Sequence, residues 1–163
     1  YYTMYNRQYL ESFMKSALAE ARQAALESEI PVGAIVVYKD QIIGRGHNQR
    51  EALKDPTAHA EIIAITAASN TIGGWRLQNA LLFVTKEPCP MCAGAIVNAR
   101  VAHVVYGVED EKAGCTGSLY QLCREPRFNH QAVVQGGILR EECLRLLTEF
   151  FKNRRINGGT EAE

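Results

Sequence analysis

No run in this chain is apolar for long enough to cross a bilayer, since stretches such as Gly33 to Tyr38 fall far short of the ~20 residues a spanning helix needs. Net charge is absent too. Eighteen Lys and Arg balance eighteen Asp and Glu, so no global field attracts nucleic acid. Any contact with a polyanion must come from a local patch, and Lys152, Arg154 and Arg155 form the candidate. Cysteines are few, odd in number and scattered at 89, 92, 115, 123 and 143. That pattern excludes a small disulfide-framed secreted scaffold and suits reduced thiols. Tyr1 to Tyr9 lacks the basic start and apolar centre of a signal peptide, and a cytoplasmic protein is the expectation. No internal repeat or low-complexity segment is visible. With 47% hydrophobic and 22% charged residues, the composition is that of an ordinary globule and excludes a disordered or collagenous chain. The simplest organisation is one domain over 4–157, with 1–3 and 158–163 as flexible termini.

Leu10, Phe13, Met14, Ala17, Leu18, Ala21 and Ala25 recur at helical spacing and predict a first helix that stops before Pro31. Val32 to Tyr38 and Gln41 to Gly44 are β-rich runs separated by Lys39-Asp40, which predicts a hairpin. A polar loop is expected from Gly46 to Pro56. Asp55-Pro56-Thr57 reads as a helix start capped by Asp55 or Thr57, with His59 and Glu61 in its first turn and an end near Asn70. Further on, strands are predicted at 80–85, 101–107 and 132–135. Helices are predicted at 89–98, 117–122 and 141–152. Strands alternating with helices argue for an α/β fold around one sheet.

The chemistry concentrates in His59-Ala60-Glu61 and Pro88-Cys89-Pro90-Met91-Cys92. One imidazole and two thiolates make three metal ligands, one short of a closed tetrahedral zinc site, and an open position is what a catalytic site uses to hold water. Mid-helix residues two apart do not share a face, but in a first turn His59 and Glu61 can converge near the helix end. Cys89 and Cys92, three apart at the next helix start, can both reach one ion. The positive ends of both helices then favour thiolate over thiol. Zinc ringed by two thiolates and a neutral imidazole is formally neutral and a modest Lewis acid, which makes a nearby non-ligand base, Glu61, valuable. The alternative is a structural zinc closed by Cys115, Cys123 or Cys143, against which Glu61 and the two prolines argue. His103 on an apolar strand reads as a core or surface histidine. His47 and His130 are explained as well by loop hydrogen bonds as by substrate, and the run Glu109 to Lys112 as a solvated face.

These two motifs match the H-x-E…P-C-x-x-C signature of the zinc deaminases. With Pro31-Val32-Gly33-Ala34, Asp55 to Glu61, Glu87 to Ala95, and Gly107, Asp110, Lys112 and Gly114, the chain resembles the cytidine-deaminase-like superfamily from Ile30 to Arg155. Within it the chain is most similar to the bacterial tRNA-specific adenosine deaminases. The resemblance implies a three-layer α/β/α sandwich with a central five-stranded mixed sheet, usually as a homodimer. It implies one zinc per subunit on His59, Cys89 and Cys92, with Glu61 as catalytic proton shuttle. The implied reaction, hydrolysis of a cyclic-amidine C–N bond, turns the wobble adenosine of a tRNA anticodon stem-loop into inosine. Asn48, the backbone N–H of Ala60 and Asp110 are implied substrate contacts, and the C-terminal Phe150, Phe151, Arg154 and Arg155 suit splayed bases and phosphates. Phe83 and Lys86 depart from the tyrosine and leucine common there. Guanine deaminase shares both core motifs and is the nearest rival substrate class, with a free-pyrimidine deaminase behind it. From another class, the rival is a silent zinc-binding scaffold.

Overall fold

Asn6 opens the first helix by accepting a hydrogen bond from the Tyr9 amide, 2.8 Å away, on its side-chain oxygen. In the computed structural model, which describes residues 5–158, this helix α1 spans Arg7–Leu26 and is followed by strands β1 (Gly33–Tyr38) and β2 (Gln41–His47). A one-turn helix α2 (Arg50–Leu53), helix α3 (Ala60–Ile72), β3 (Leu81–Lys86), α4 (Pro90–Ala99), β4 (His103–Val108), β5 (Val133–Gln135) and α5 (Arg140–Ile156) complete the chain. Apart from Gly158, the expected flexible termini lie outside the described residues. Among those residues, no helix is long and apolar enough to cross a membrane.

The five strands form one mixed sheet in the order β2-β1-β3-β4-β5. The first three pair antiparallel, and β3, β4 and β5 pair parallel. Alternate residues face opposite layers, as the pleat requires. Ala34, Val36, Leu82, Val84 and Val104 pack with α3 and α4 through Ala60, Ala64, Ala68, Ala93 and Ile96. Ile35, Val37, Leu81, Phe83 and Val105 pack with α1 and α5 through Leu10, Met14, Leu18 and Cys143. The result is the expected three-layer α/β/α sandwich. Arg140 holds the start of α5 to the end of β4 through Glu109, with Nε 2.9 Å from Oε2.

Three expectations are corrected. The loop expected from Gly46 is strand to His47, with α2 following. Gly46 is not a breaker: a Cβ on it would lie 2.5 Å from the Ala60 carbonyl oxygen, and one on Gly44 2.3 Å from that of Ala64, so these glycines let α3 lie directly on β2. The helix expected at 117–122 is instead a turn closed by a Thr116–Gln121 bridge, with one 3₁₀ turn at Leu122–Arg124. Its amides at Thr116 and Ser118 donate to the Glu87 carboxylate, which holds the turn. Finally, neither Asp55 nor Thr57 caps α3. Asp55 closes its own turn by accepting from the Thr57 amide at 2.8 Å, and the N-cap is His59.

Candidate active site

Both helix starts on one face of the sheet hold unusual cap residues. His59 precedes α3 with φ −77° and ψ 152°, Cys89 precedes α4 with φ −75° and ψ 176°, and neither side chain caps its own helix. Pro90 follows at the first helical position, where its fixed φ suits the turn and its missing N–H costs nothing. Imidazole and thiols turn toward each other instead. His59 Nδ1 lies 3.6 Å from the sulfurs of both Cys89 and Cys92. A tetrahedral zinc with Zn–S of ~2.3 Å and Zn–N of ~2.0–2.1 Å sets that nitrogen–sulfur edge at about 3.6 Å, so the donor set fits the ion. Among the described residues no other group of three His, Cys, Asp or Glu donors converges in this way, and Cys115, Cys123 and Cys143 do not join it.

The three donors share protons. Cys89 falls to about 4, first because the Cys92 thiol donates to it and then because His59 does. Cys92 is pushed far up, as that donor and by burial. His59 is raised, chiefly by its hydrogen bond with Cys89. A cation arriving between them displaces these protons, so binding is linked to pH.

Glu61 follows in the first turn of α3, only 4% exposed. Burial raises its carboxyl above the ordinary value, and outweighs the opposing pull of its own backbone N–H, the Cys92 thiol and His59. A carboxyl whose affinity for a proton is raised by burial is suited to carrying one.

His59, Ala60, Glu61 and Cys89 open into a cavity of about 250 Å³. This suits a single small ring system better than a drug-sized ligand. Asn48 and Asp110 also line it, so the cavity gathers seven of the expected site residues once the buried Cys92 behind Cys89 is counted. Asn48 is anchored only weakly, with Nδ2 3.4 Å from the Ile30 carbonyl and Oδ1 accepting from the Arg50 amide at 3.3 Å. Asp110 is fully engaged. One oxygen accepts from the Lys112 and Ala113 amides, and the other pairs with Lys86 Nζ at 3.1 Å.

Phe150, Phe151, Arg154 and Arg155 do not line this cavity. Phe150 and Arg154 instead border a separate groove with Ala25 and Ser28 at the end of α1, and Arg154 lies over the Phe150 ring, 5.5 Å from its centroid. Ser28 in the groove and Ile30 in the cavity are two residues apart, so one short segment separates them. His47 pairs with Glu20 and Glu27 outside the cavity, and His130 donates to the Val101 carbonyl at 2.7 Å. His130 takes the loop-bonding role, whereas His47 lies on β2 and bonds across to Glu20 of α1 and its C-cap Glu27. His103, its pKa lowered by burial, packs against Tyr5.

Sequence reading overlooked Arg50 and Glu87, and named Lys86 only as a departure, yet all three line the cavity. For Glu87 a signal existed: a charged residue closing the near-continuous apolar strand Leu81–Lys86, directly before a ligand motif.

Comparison with known proteins agrees with this geometry. Residues 9–155 match the family model of MafB19-like deaminases. The chain is 50% identical over 145 residues to a tRNA-specific adenosine deaminase of Bacillus subtilis, covering 89% of this chain and 90% of that one. A solved structure from work on A-to-I editing by tRNA:A34 deaminases at the wobble position of transfer RNA superposes with a TM-score of 0.80 at 40% identity. That match covers 83% of this chain and 99% of the other. A guanine deaminase from Nitrosomonas europaea superposes with a TM-score of 0.74 at 26% identity, over 86% of this chain and 83% of that one.

Proposed function

Since the chain belongs to the MafB19-like deaminase family, and within it to the tRNA-specific adenosine deaminases, we propose that it hydrolyses the 6-amino group of adenosine at the wobble position of a tRNA anticodon, giving inosine and ammonia. One observation carries the chemistry: a His59–Cys89–Cys92 donor set at zinc spacing with the buried carboxyl of Glu61 beside it, His59, Glu61 and Cys89 opening on one small cavity. Zinc bound there supplies Lewis acidity that makes water a nucleophile near neutral pH. Glu61 takes a proton from the attacking water and delivers it to N1 of the base as C6 becomes tetrahedral. It then takes the proton of the new C6 hydroxyl and gives it to the departing amine, so that the C–N bond breaks as the C6 carbonyl of inosine forms. Asn48 and the first-turn N–H of Ala60 hold the base by its polar edge, and the narrow cavity excludes bulk water. Guanine deaminase is the second reading, because a purine base alone would satisfy the same cavity.

We further read residues 4–157 as a single catalytic domain acting in the cytoplasm, where a tRNA substrate is found. A homodimer is supported by three large apolar side chains of one segment, Leu119, Tyr120 and Phe128, that stand 51%, 65% and 45% exposed. Incubating the protein with an anticodon stem-loop bearing adenosine at the wobble position, beside free guanine, separates the substrates. Inosine is the expected product, and xanthine without inosine overturns the reading.

The groove beside the cavity supports RNA contact by the last helix, with Phe150 and Arg154 along its wall and Phe151 and Arg155 adjoining them. Replacing Arg154 and Arg155 together by alanine is expected to reduce the salt slope of stem-loop affinity by about 1–2, in proportion to the phosphates released. An unchanged slope in titrations at several salt concentrations removes both residues from the interface.

A further inference from the structure

Glu87, at the end of β3, is a charged side chain that proton transfer does not use, and it is only 3% exposed. Its carboxylate is saturated by a single segment. Oε1 accepts from the Asp110 amide at 3.1 Å and from the Ser118 hydroxyl; Oε2 accepts from the amides of Thr116 at 3.2 Å and Ser118 at 3.0 Å. Two backbone bonds run alongside, Glu87 N–H to the Val108 carbonyl at 2.9 Å and Cys115 N–H to the Pro88 carbonyl at 2.8 Å. The segment also leaves no slack. A Cβ on Gly114 would lie 2.3 Å from the Glu87 carboxyl carbon.

This segment supplies Asp110 and Ala113 to the lining of the cavity that His59 and Ala60 also line. Cys89, two residues after Glu87, supplies a metal donor. The carboxylate therefore joins the part of the site that recognises substrate to the part that reacts. An ionised carboxylate is acceptor-only, so it can meet four donors at once. A neutral amide there would set donor against donor on one of its two atoms.

We propose that Glu87 is a positioning residue for substrate: its buried carboxylate fixes the Asp110–Ser118 wall in register with the Cys89–Cys92 ligand segment, and so sets how the base is held over the reacting centre. It acts through Asp110 and Ala113, and it rests on the deaminase reading above.

The test is steady-state kinetics of the zinc-loaded enzyme on the wobble-adenosine stem-loop and on free guanine. Glu87→Gln is expected to raise KM about tenfold, the size of one lost charged hydrogen bond, with kcat within about twofold and metal content unchanged. Ser118→Ala, at an exposed position, removes one of the four donors and is expected to raise KM about threefold. A merely structural role predicts less active enzyme, hence a fallen kcat at unchanged KM, and that result overturns the proposal. If Glu87→Gln does not fold, Ser118→Ala decides alone, an unchanged KM overturning it. A wild type that converts guanine but not the stem-loop sinks the substrate reading only, and the KM split is then read on guanine. One that converts neither overturns both.

Discussion

Glu61→Ala is expected to lower inosine formation by roughly 10³- to 10⁴-fold, the upper part of what a positioned acid–base group contributes, while the protein keeps one metal per chain. The side chain is buried, is not among the three converging donors, and sits in the first turn of α3, where alanine is well tolerated. Removing it costs no ligand. It also deletes a carboxyl whose ionised form burial disfavours, so the melting temperature should hold or rise. Glu61→Gln should be as inactive, because an amide keeps the shape but carries no proton between water, ring nitrogen and leaving amine. Initial rates, elemental analysis and a thermal melt on the same preparation check all three statements. Substantial turnover with stoichiometric zinc would remove Glu61 from the proton path.

Gly46→Ala is expected to be the most damaging single-methyl change near the site. The added Cβ would stand 2.5 Å from the Ala60 carbonyl oxygen and 2.7 Å from the Ala64 nitrogen, both backbone atoms that no rotamer change can move. Relief requires α3 to lift from β2 along its Ala60, Ala64 and Ala68 face. Overpacking of this kind costs about 3 kcal/mol, which for a chain of this length lowers the melting temperature by roughly 6–12 °C. Activity suffers separately, since lifting the start of α3 carries His59 and Glu61 away from Cys89. A displacement of about 1 Å can cost ~10²-fold in rate. Gly74→Ala is the control: a Cβ there meets nothing within 4 Å. Should Gly46→Ala melt within about 2 °C of the parent and turn over normally, the direct seating of α3 on the sheet is refuted.

The same contact explains where sequence reading succeeded and where it stopped. Strand and helix identities were legible because their causes are local: the apolar β-rich run at 33–38, the helical stripe from Leu10 to Ala25, the prolines ahead of the helices. The donor set was legible because chemistry limits which residues can hold zinc, and His59, Cys89 and Cys92 announce themselves by type and spacing. Gly46 was misread as a loop residue because its reason lies fourteen to eighteen positions further on, in Ala60 and Ala64 of α3. Residues 117–122 were misread because Glu87, which holds this turn through the amides of Thr116 and Ser118, is about thirty positions earlier. Glu87 itself passed as part of a motif, since four long-range hydrogen bonds to one carboxylate leave no periodic trace.

Most helices begin with Ser, Thr, Asp or Asn, whose side chain satisfies a free amide, as Asn6 does for α1. At α3 and α4 those positions are held by His59 and Cys89, with no such bond at either. Each start therefore forgoes about 1 kcal/mol that a capping residue would contribute. Activity and stability are opposed at the same two codons. In a lineage released from selection for deamination, and no longer gaining stability from a bound ion, a capping residue at 59 or 89 would be favoured, so loss of the proposed metal donors there should be quick to fix and hard to reverse.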